Sequence, residues 1–233
     1  MKKLATIFFL TILLTGCAGR RGPQKTCLSN HDKLQQVGQI TSQLAYSNGL
    51  DPSKIYVCII EDTAINAWID KRPQIYLTTS FLDAIPDSDA LMCVLAHELS
   101  HYTLNHISNT QAISFGISAA FQVANVFLPG VGYLDHLANP TITHAYGRSN
   151  ELDADENAVE MCRNAGMMNA RQQKINTLVW LKTSHKEKDQ FFLWATHPPL
   201  DDRIAHLLEK EERKPQNIKS GASSIEDQGH KRF

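Results

Sequence analysis

In the stretch VLAHELSHYTLNH, Val94–His106, three histidines and one glutamate fall within thirteen positions that hold no other charged residue. On an α-helix, side chains four residues apart share a face, so His97 and His101 can aim imidazole nitrogens at one point. Such a pair is a clamp for a metal ion. Glu98 lies about 100° round the helix from His97, near enough to reach a water on the metal but not placed to replace a histidine. Its natural work is proton transfer. His106, five residues beyond His101, is rotated well off the clamp face and reads as a surface residue or a support behind the ligands.

A zinc ion that catalyses hydrolysis usually takes three protein ligands and keeps a fourth position for water. The metzincin arrangement would place glycine at position 104 and histidine at 107, where this chain has Leu104 and Ile107, so that class is excluded. The remaining solution is a glutamate on a later helix. RSNELDADENAVE offers Glu151, with Asp155 one turn further along the same face. Glu151 can bind the metal while Asp155 accepts a hydrogen bond from the remote N–H of a ligating histidine. Glu156 and Glu160 belong to other faces and read as solvated.

Several elements must position these groups. Pro86-Asp87-Ser88-Asp89 supplies a helix start, and the helix from about Ser88 to Ser108 carries the clamp. Another helix is expected from about Thr143 to Asn164, with Gly166 near its C-cap, and a further one over Ala170–Lys182. The apolar positions Leu34, Val37, Ile40 and Leu44 recur at helical spacing between His31 and Ser47, and Asn48-Gly49 ends that pattern. KIYVCII reads as a buried strand. NAWI and QIYLTTSFL, separated by the polar DKRP, read as two further strands in a hairpin-like connection. Residues 99–134 contain no Asp, Glu, Lys or Arg. Within them AISFGISAAFQVANVFL is interrupted by Ser114, Ser118, Gln122 and Asn125 and is short for a membrane span, so it reads as a buried or groove-lining helix. THPP forces an extended turn before a last helix, Leu200 to about Glu211.

The chain has 233 residues, 42% hydrophobic and 20% charged, which suits a single globular domain. Its formal net charge of -1, with no basic patch or tail, gives a nucleic-acid partner no electrostatic support. Residues 1–16 read as a signal peptide: Lys2 and Lys3, then the apolar stretch Leu4–Leu14, then small residues. Leu14-Thr15-Gly16-Cys17 resembles the bacterial lipobox, which makes Cys17 the lipid-modified first residue of the mature chain. Ala18 after it implies sorting to the outer membrane. Residues 17–30 then form a tether, 31–211 the domain, and 212–233 a disordered polar tail. In the periplasm disulfides can persist. Cys27, Cys58, Cys93 and Cys162 are either small buried hydrophobes or include one disulfide, and without a CxxC spacing they do not form a zinc site.

From Gln39 to Leu208 the sequence resembles the HtpX and CAAX prenyl endopeptidase family of zinc metallopeptidases, in a small periplasmic form. Four matches carry the resemblance: NAW with the strand IYLTTSFL, then AHELSH, RSNELDAD and THPPLDDRI. It implies an α+β, predominantly helical fold, a zincin-like core with a small β-sheet over the active-site helix. It also implies that Asn66 and Ala67 line the cleft wall, and that the strand carrying Tyr76 and Thr78 is a sheet edge that pairs with extended substrate. The family usually has glycine where Ser80 stands and often glycines in place of IDKRP. The membrane helices of the integral-membrane relatives are missing, so their membrane-embedded substrates do not carry over.

The expectation is a zinc-dependent endopeptidase with one Zn2+ per chain on His97, His101 and Glu151, and Glu98 as the proton-transfer group. It would be held by lipid on the periplasmic side of the outer membrane and would cleave unfolded or misassembled envelope proteins. Envelope assembly machinery is a further candidate partner. His197 is a candidate catalytic donor to the developing oxyanion, with Arg203, six residues on, anchoring its loop; alternatively His197 fills the open position on zinc and holds the enzyme silent. Competing readings are a zinc-containing chaperone or assembly factor that grips chains without cutting them, and a cell-wall amidase.

Overall fold

The computed structural model describes residues 26–185, 197 and 200–213; within its helices the side chains of 136–146, 185 and 211–213 are not described. The expected signal peptide, Cys17, the prolines of THPP and most of the tail lie outside these residues. Helix α1 spans Leu34–Ser47 and buries Val37, Ile40 and Leu44. Its end is set by Gly49, whose φ of +70° suits a residue without a Cβ. Three short strands follow, β1 (Tyr56–Ile60), β2 (Ala67–Ile69) and β3 (Gln74–Thr78), then α2 (Thr79–Ala84).

The sheet order is β1-β3-β2, with β1 parallel and β2 antiparallel to β3. The hairpin turn is built by Asp70, whose Oδ1 accepts from the Arg72 and Gln74 amides at 2.8 and 3.1 Å. Two expectations change here. QIYLTTSFL is a strand only as far as Thr78, because the Thr78 hydroxyl accepts from the Phe81 amide and caps α2. And β3 is the central strand, so the sheet's edges are β1, bridged by Cys27 at Ile60, and β2. Tyr76 is then a strand-centre residue stacked on Trp68, with ring centroids 5.0 Å apart. Thr78 is buried, its hydroxyl bonded to both the amide and the carbonyl of Asn66. Neither residue offers a substrate-pairing edge.

Helix α3, Ser88–Thr103, starts as expected: Asp87 Oδ1 accepts from the Ala90 amide at 2.7 Å. Every residue from Cys93 to His101 is buried. A helix covered on all sides forms the centre of the domain. It packs beneath the sheet on one side and against α5 (Asp135–Asn164), α6 (Ala170–His185) and α1 on the others. Helix α7, Leu200–Arg213, closes the assembly through Leu200 and Leu207. The long helix α5 begins at Asp135, earlier than the Thr143 that the sequence suggested, and ends where Gly166, at φ +98°, donates to the Arg163 carbonyl.

The expected helix over 88–108 breaks at Leu104-Asn105, where Asn105 adopts a left-handed conformation at φ 57°. Helix α4, His106–Phe127, leaves in a new direction. It is not a buried helix: His106 is its one buried residue, while Phe115, Val123, Val126 and Phe127 are more than 60% exposed. No helix of the described residues is long and apolar enough to cross a membrane.

Cys27 and Cys58 form a disulfide, while Cys93 and Cys162 are free and buried, so both readings of the cysteines hold, for different pairs. The tether expected over residues 17–30 is already pinned at Cys27, and the Leu28 amide donates to the Ile59 carbonyl at 2.8 Å.

Candidate metal centre

Helix α3 presents His97 and His101 on one face as their spacing requires, with Nε2 atoms 3.1 Å apart. Helix α5 crosses it and supplies Glu151, whose Oε2 lies 3.3 Å from His97 Nε2 and whose Oε1 lies 3.3 Å from His101 Nε2. Zinc held by such ligands at about 2.0–2.2 Å in a tetrahedron separates the ligand atoms by roughly 3.4 Å, so the three donors fit the ion. His197, from the segment before α7, completes a cluster in which one ligand atom from each of His97, His101, Glu151 and His197 lies within 4.8 Å of the others.

His197 approaches two carboxylates. Its Nδ1 is 2.9 Å from Glu151 Oε1 and its Nε2 is 3.7 Å from Glu98 Oε1. The ring therefore stands inside the ligand cluster rather than on the far wall of the cleft. Glu98 is 1% exposed, and its Oε1 accepts no hydrogen bond among the described residues. Burial pushes its carboxyl up from the ordinary range, against the pull of His197 and His101. A buried carboxylate left without a donor is costly unless a bound group supplies one.

Behind the ligands, His97 Nδ1 lies 3.0 Å from Asp155 Oδ1, an approach off the straight hydrogen-bond line. Arg203 grips Asp155 with two bonds of 2.7 Å, through Nε and Nη2, and reaches Glu151 Oε2 at 2.9 Å and the His197 carbonyl at 3.4 Å. Arg203 thus joins the second carboxylate, the third ligand and the His197 segment in one fork.

The sequence reading missed Lys174. This lysine of α6 is 2% exposed, with Nζ 2.9 Å from Asp155 Oδ1. Its signal was available: Ile175, Leu178 and Leu181 are buried, and Lys174 is aligned with Leu178 and Leu181 on a core-facing stripe. A lysine in that register demands a buried carboxylate as partner. Burial alone would raise the carboxyl of Asp155, but Arg203 and Lys174 hold it well below the ordinary range. Burial, with Lys174 and Arg203 nearby, brings His97 down to about 3, which keeps it neutral as a ligand must be. For Glu151, His197 and Arg203 outweigh burial and keep the carboxyl ionised. For His197, burial disfavours the cation, yet Glu151 and Glu98 outweigh it and raise the ring's pKa. Three buried carboxylates face Lys174 and Arg203, with His197 able to take up a proton as a third cation.

Asn66 and Ala67 lie at the start of β2 and are buried, with Asn66 Oδ1 unbonded among the described residues. The Thr78 amide donates to the Asn66 carbonyl and the Asp70 amide to the Gln74 carbonyl. Antiparallel pairing alternates, so Ala67 and Ile69 turn their N–H and C=O groups away from β3. Among the described residues no backbone hydrogen bond takes them up.

A central helix with His-Glu-x-x-His, a glutamate ligand from a later helix and a small sheet above them define a zinc-peptidase centre. The chain belongs to peptidase family M48, whose model matches residues 31–211. A Levilactobacillus brevis protein described as "Protease HtpX homolog" is 27% identical over 200 residues, and the match covers 65% of this chain and 65% of that protein.

Proposed function

We propose that this chain is a zinc-dependent endopeptidase that cleaves unfolded or misassembled proteins of the bacterial cell envelope. Glu98 carries the reading: a buried carboxylate with a free oxygen stands beside three donors spaced for tetrahedral zinc. A structural site has no use for that carboxylate and fills its fourth position with protein. Bound zinc would supply Lewis acidity, polarising a carbonyl and making water a competent nucleophile near neutral pH. Glu98 accepts the proton of the attacking water and returns it to the leaving amine. The outer edge of β2 pairs with extended substrate backbone once the cover over Ala67 and Ile69, 0% and 7% exposed, is displaced, which selects chains without stable structure.

His197 has two readings, and its place inside the ligand cluster supports the one in which it fills the fourth position until substrate displaces it. Arg203 then holds both Glu151 and the segment bearing His197. On the same proposal, lipid on Cys17 holds the domain at the periplasmic face of the outer membrane. The Cys27–Cys58 disulfide suits an oxidising compartment.

The test is digestion of an unfolded protein by the zinc-loaded chain, with cell-wall fragments in parallel. Cleavage of the protein alone is expected, and Glu98→Gln should abolish it with zinc retained. Zinc binding without any cleavage would favour a chaperone or assembly factor. Release of wall fragments would favour an amidase. Cys17→Ser should move the protein out of the membrane fraction, and its retention there would remove the lipid anchor from the proposal.

A further inference from the structure

A histidine that binds zinc through one ring nitrogen is normally oriented by what the other nitrogen touches, most often a carboxylate or a backbone carbonyl. His97 has Asp155. Among the described residues His101 has neither kind of partner on its other nitrogen: its Nδ1 lies 3.1 Å from Nδ1 of His106. The two rings are 5.1 Å apart between centroids and inclined at 70°. His106 is 7% exposed.

Backbone geometry brings His106 there against the expectation from sequence. In an uninterrupted helix a residue five positions beyond His101 would sit about 140° round the axis, unable to meet that ring. Helix α3 instead stops at Thr103, Asn105 turns left-handed at φ 57°, and α4 starts at His106 itself. Asparagine is among the few residues that tolerate this conformation. The break therefore returns a ring to the back of the clamp.

We infer that His106 is a positioning residue for the metal: its Nδ1 accepts the Nδ1–H of His101 and thereby fixes the tautomer in which the His101 Nε2 lone pair faces the ion. The hydrogen of His106 is then on Nε2. His106 also lines a polar pocket with Asn109, Asn150 and Asp153. The two ligands are consequently supported unequally: a carboxylate clamped by two cations stands behind His97, and a neutral imidazole stands behind His101. The inference rests on the zinc reading of the centre.

Zinc affinity of the purified full chain, measured by competition with a chromophoric chelator, tests it independently of proteolysis. His106→Leu keeps bulk but loses the acceptor, and should weaken zinc binding about tenfold to a hundredfold. His106→Asn places Oδ1 close to where Nδ1 stood, and should stay within about threefold of the parent. Thermal unfolding of the zinc-free variants checks that both fold. Equal affinity in parent, Leu and Asn variants would overturn the inference. An equal loss in both would do so too, because ring packing rather than an acceptor would then matter. A parent chain that binds no zinc would overturn the metal reading, and this inference with it, whatever the variants do.

Discussion

Helices α3 and α4 follow one another with two residues between them, and both are poor in charge, yet one is enclosed on all sides over Cys93–His101 and the other buries only His106. Helix α3 buries Leu91, Val94, Leu95 and Leu99 along with His97, Glu98 and His101. Helix α4 leaves Phe115, Val126 and Phe127 at 76–79% exposure. Apolar composition records what a helix tolerates, while enclosure depends on what packs over it. For α3 the covering elements bring matched polar groups: Glu151 and Asp155 from α5, Lys174 from α6 and Arg203 from α7. On α4 the described polar contacts are lighter: Ser118 donates to Asp135 at 2.9 Å, and Asn125 Oδ1 accepts from the Gly130 and Gly132 amides.

The contrast can be broken or sharpened by substitution. The largest effect belongs to Glu98→Gln, which should lower peptidase kcat by about a hundredfold to ten-thousandfold with zinc content unchanged. A variant that cleaves at the parent rate would remove Glu98 from the mechanism. Leu99→Ala, in the enclosed helix, should cost about 2–5 kcal/mol of stability in denaturant titration. Asp155→Ala should weaken zinc binding about tenfold to a hundredfold in chelator competition, because His97 loses its support. It should also leave Lys174 without its carboxylate and Arg203 with Glu151 alone. His197→Ala should raise the rate of unfolded-protein cleavage several-fold; a hundredfold fall would instead return His197 to the role of oxyanion donor. The smallest effect is expected at Phe115→Ser on α4, within about 0.5 kcal/mol by the same titration. A loss matching that of Leu99→Ala would show α4 to be packed, and the comparison would fail.

Much of the centre was legible because its spacings are local. His97 with His101, and Glu151 with Asp155, are each one helical turn apart, and a turn is visible in a string of letters. The capping role of Asp87 and the stop at Gly166 were legible for the same reason. What escaped depends on pairs distant in sequence or on a single dihedral angle. The order of the strands follows from β1 choosing β3 as its parallel partner, which no local pattern encodes. Thr79–Leu82 look like strand until the Thr78 hydroxyl is seen capping the next helix. His106 was assigned by continuing a helix that Asn105 in fact ends. Lys174 sat in view on an apolar stripe, and the mismatch between its charge and its register was the unread signal.

The outer edge of β2 is very short, and its shortness has a kinetic meaning. Ala67 and Ile69 turn outward two N–H and two C=O groups, and four backbone hydrogen bonds at about 1 kcal/mol each amount to about 4 kcal/mol. Alone, that corresponds to a dissociation constant of about a millimolar. An encounter so brief is a race between cutting and folding. On the proposed function, a client that completes its own sheet quickly would withdraw its backbone between encounters, whereas one stalled partway would keep offering the same strand. A three-residue strand would therefore work as a timer, marking chains for destruction by how long they stay open.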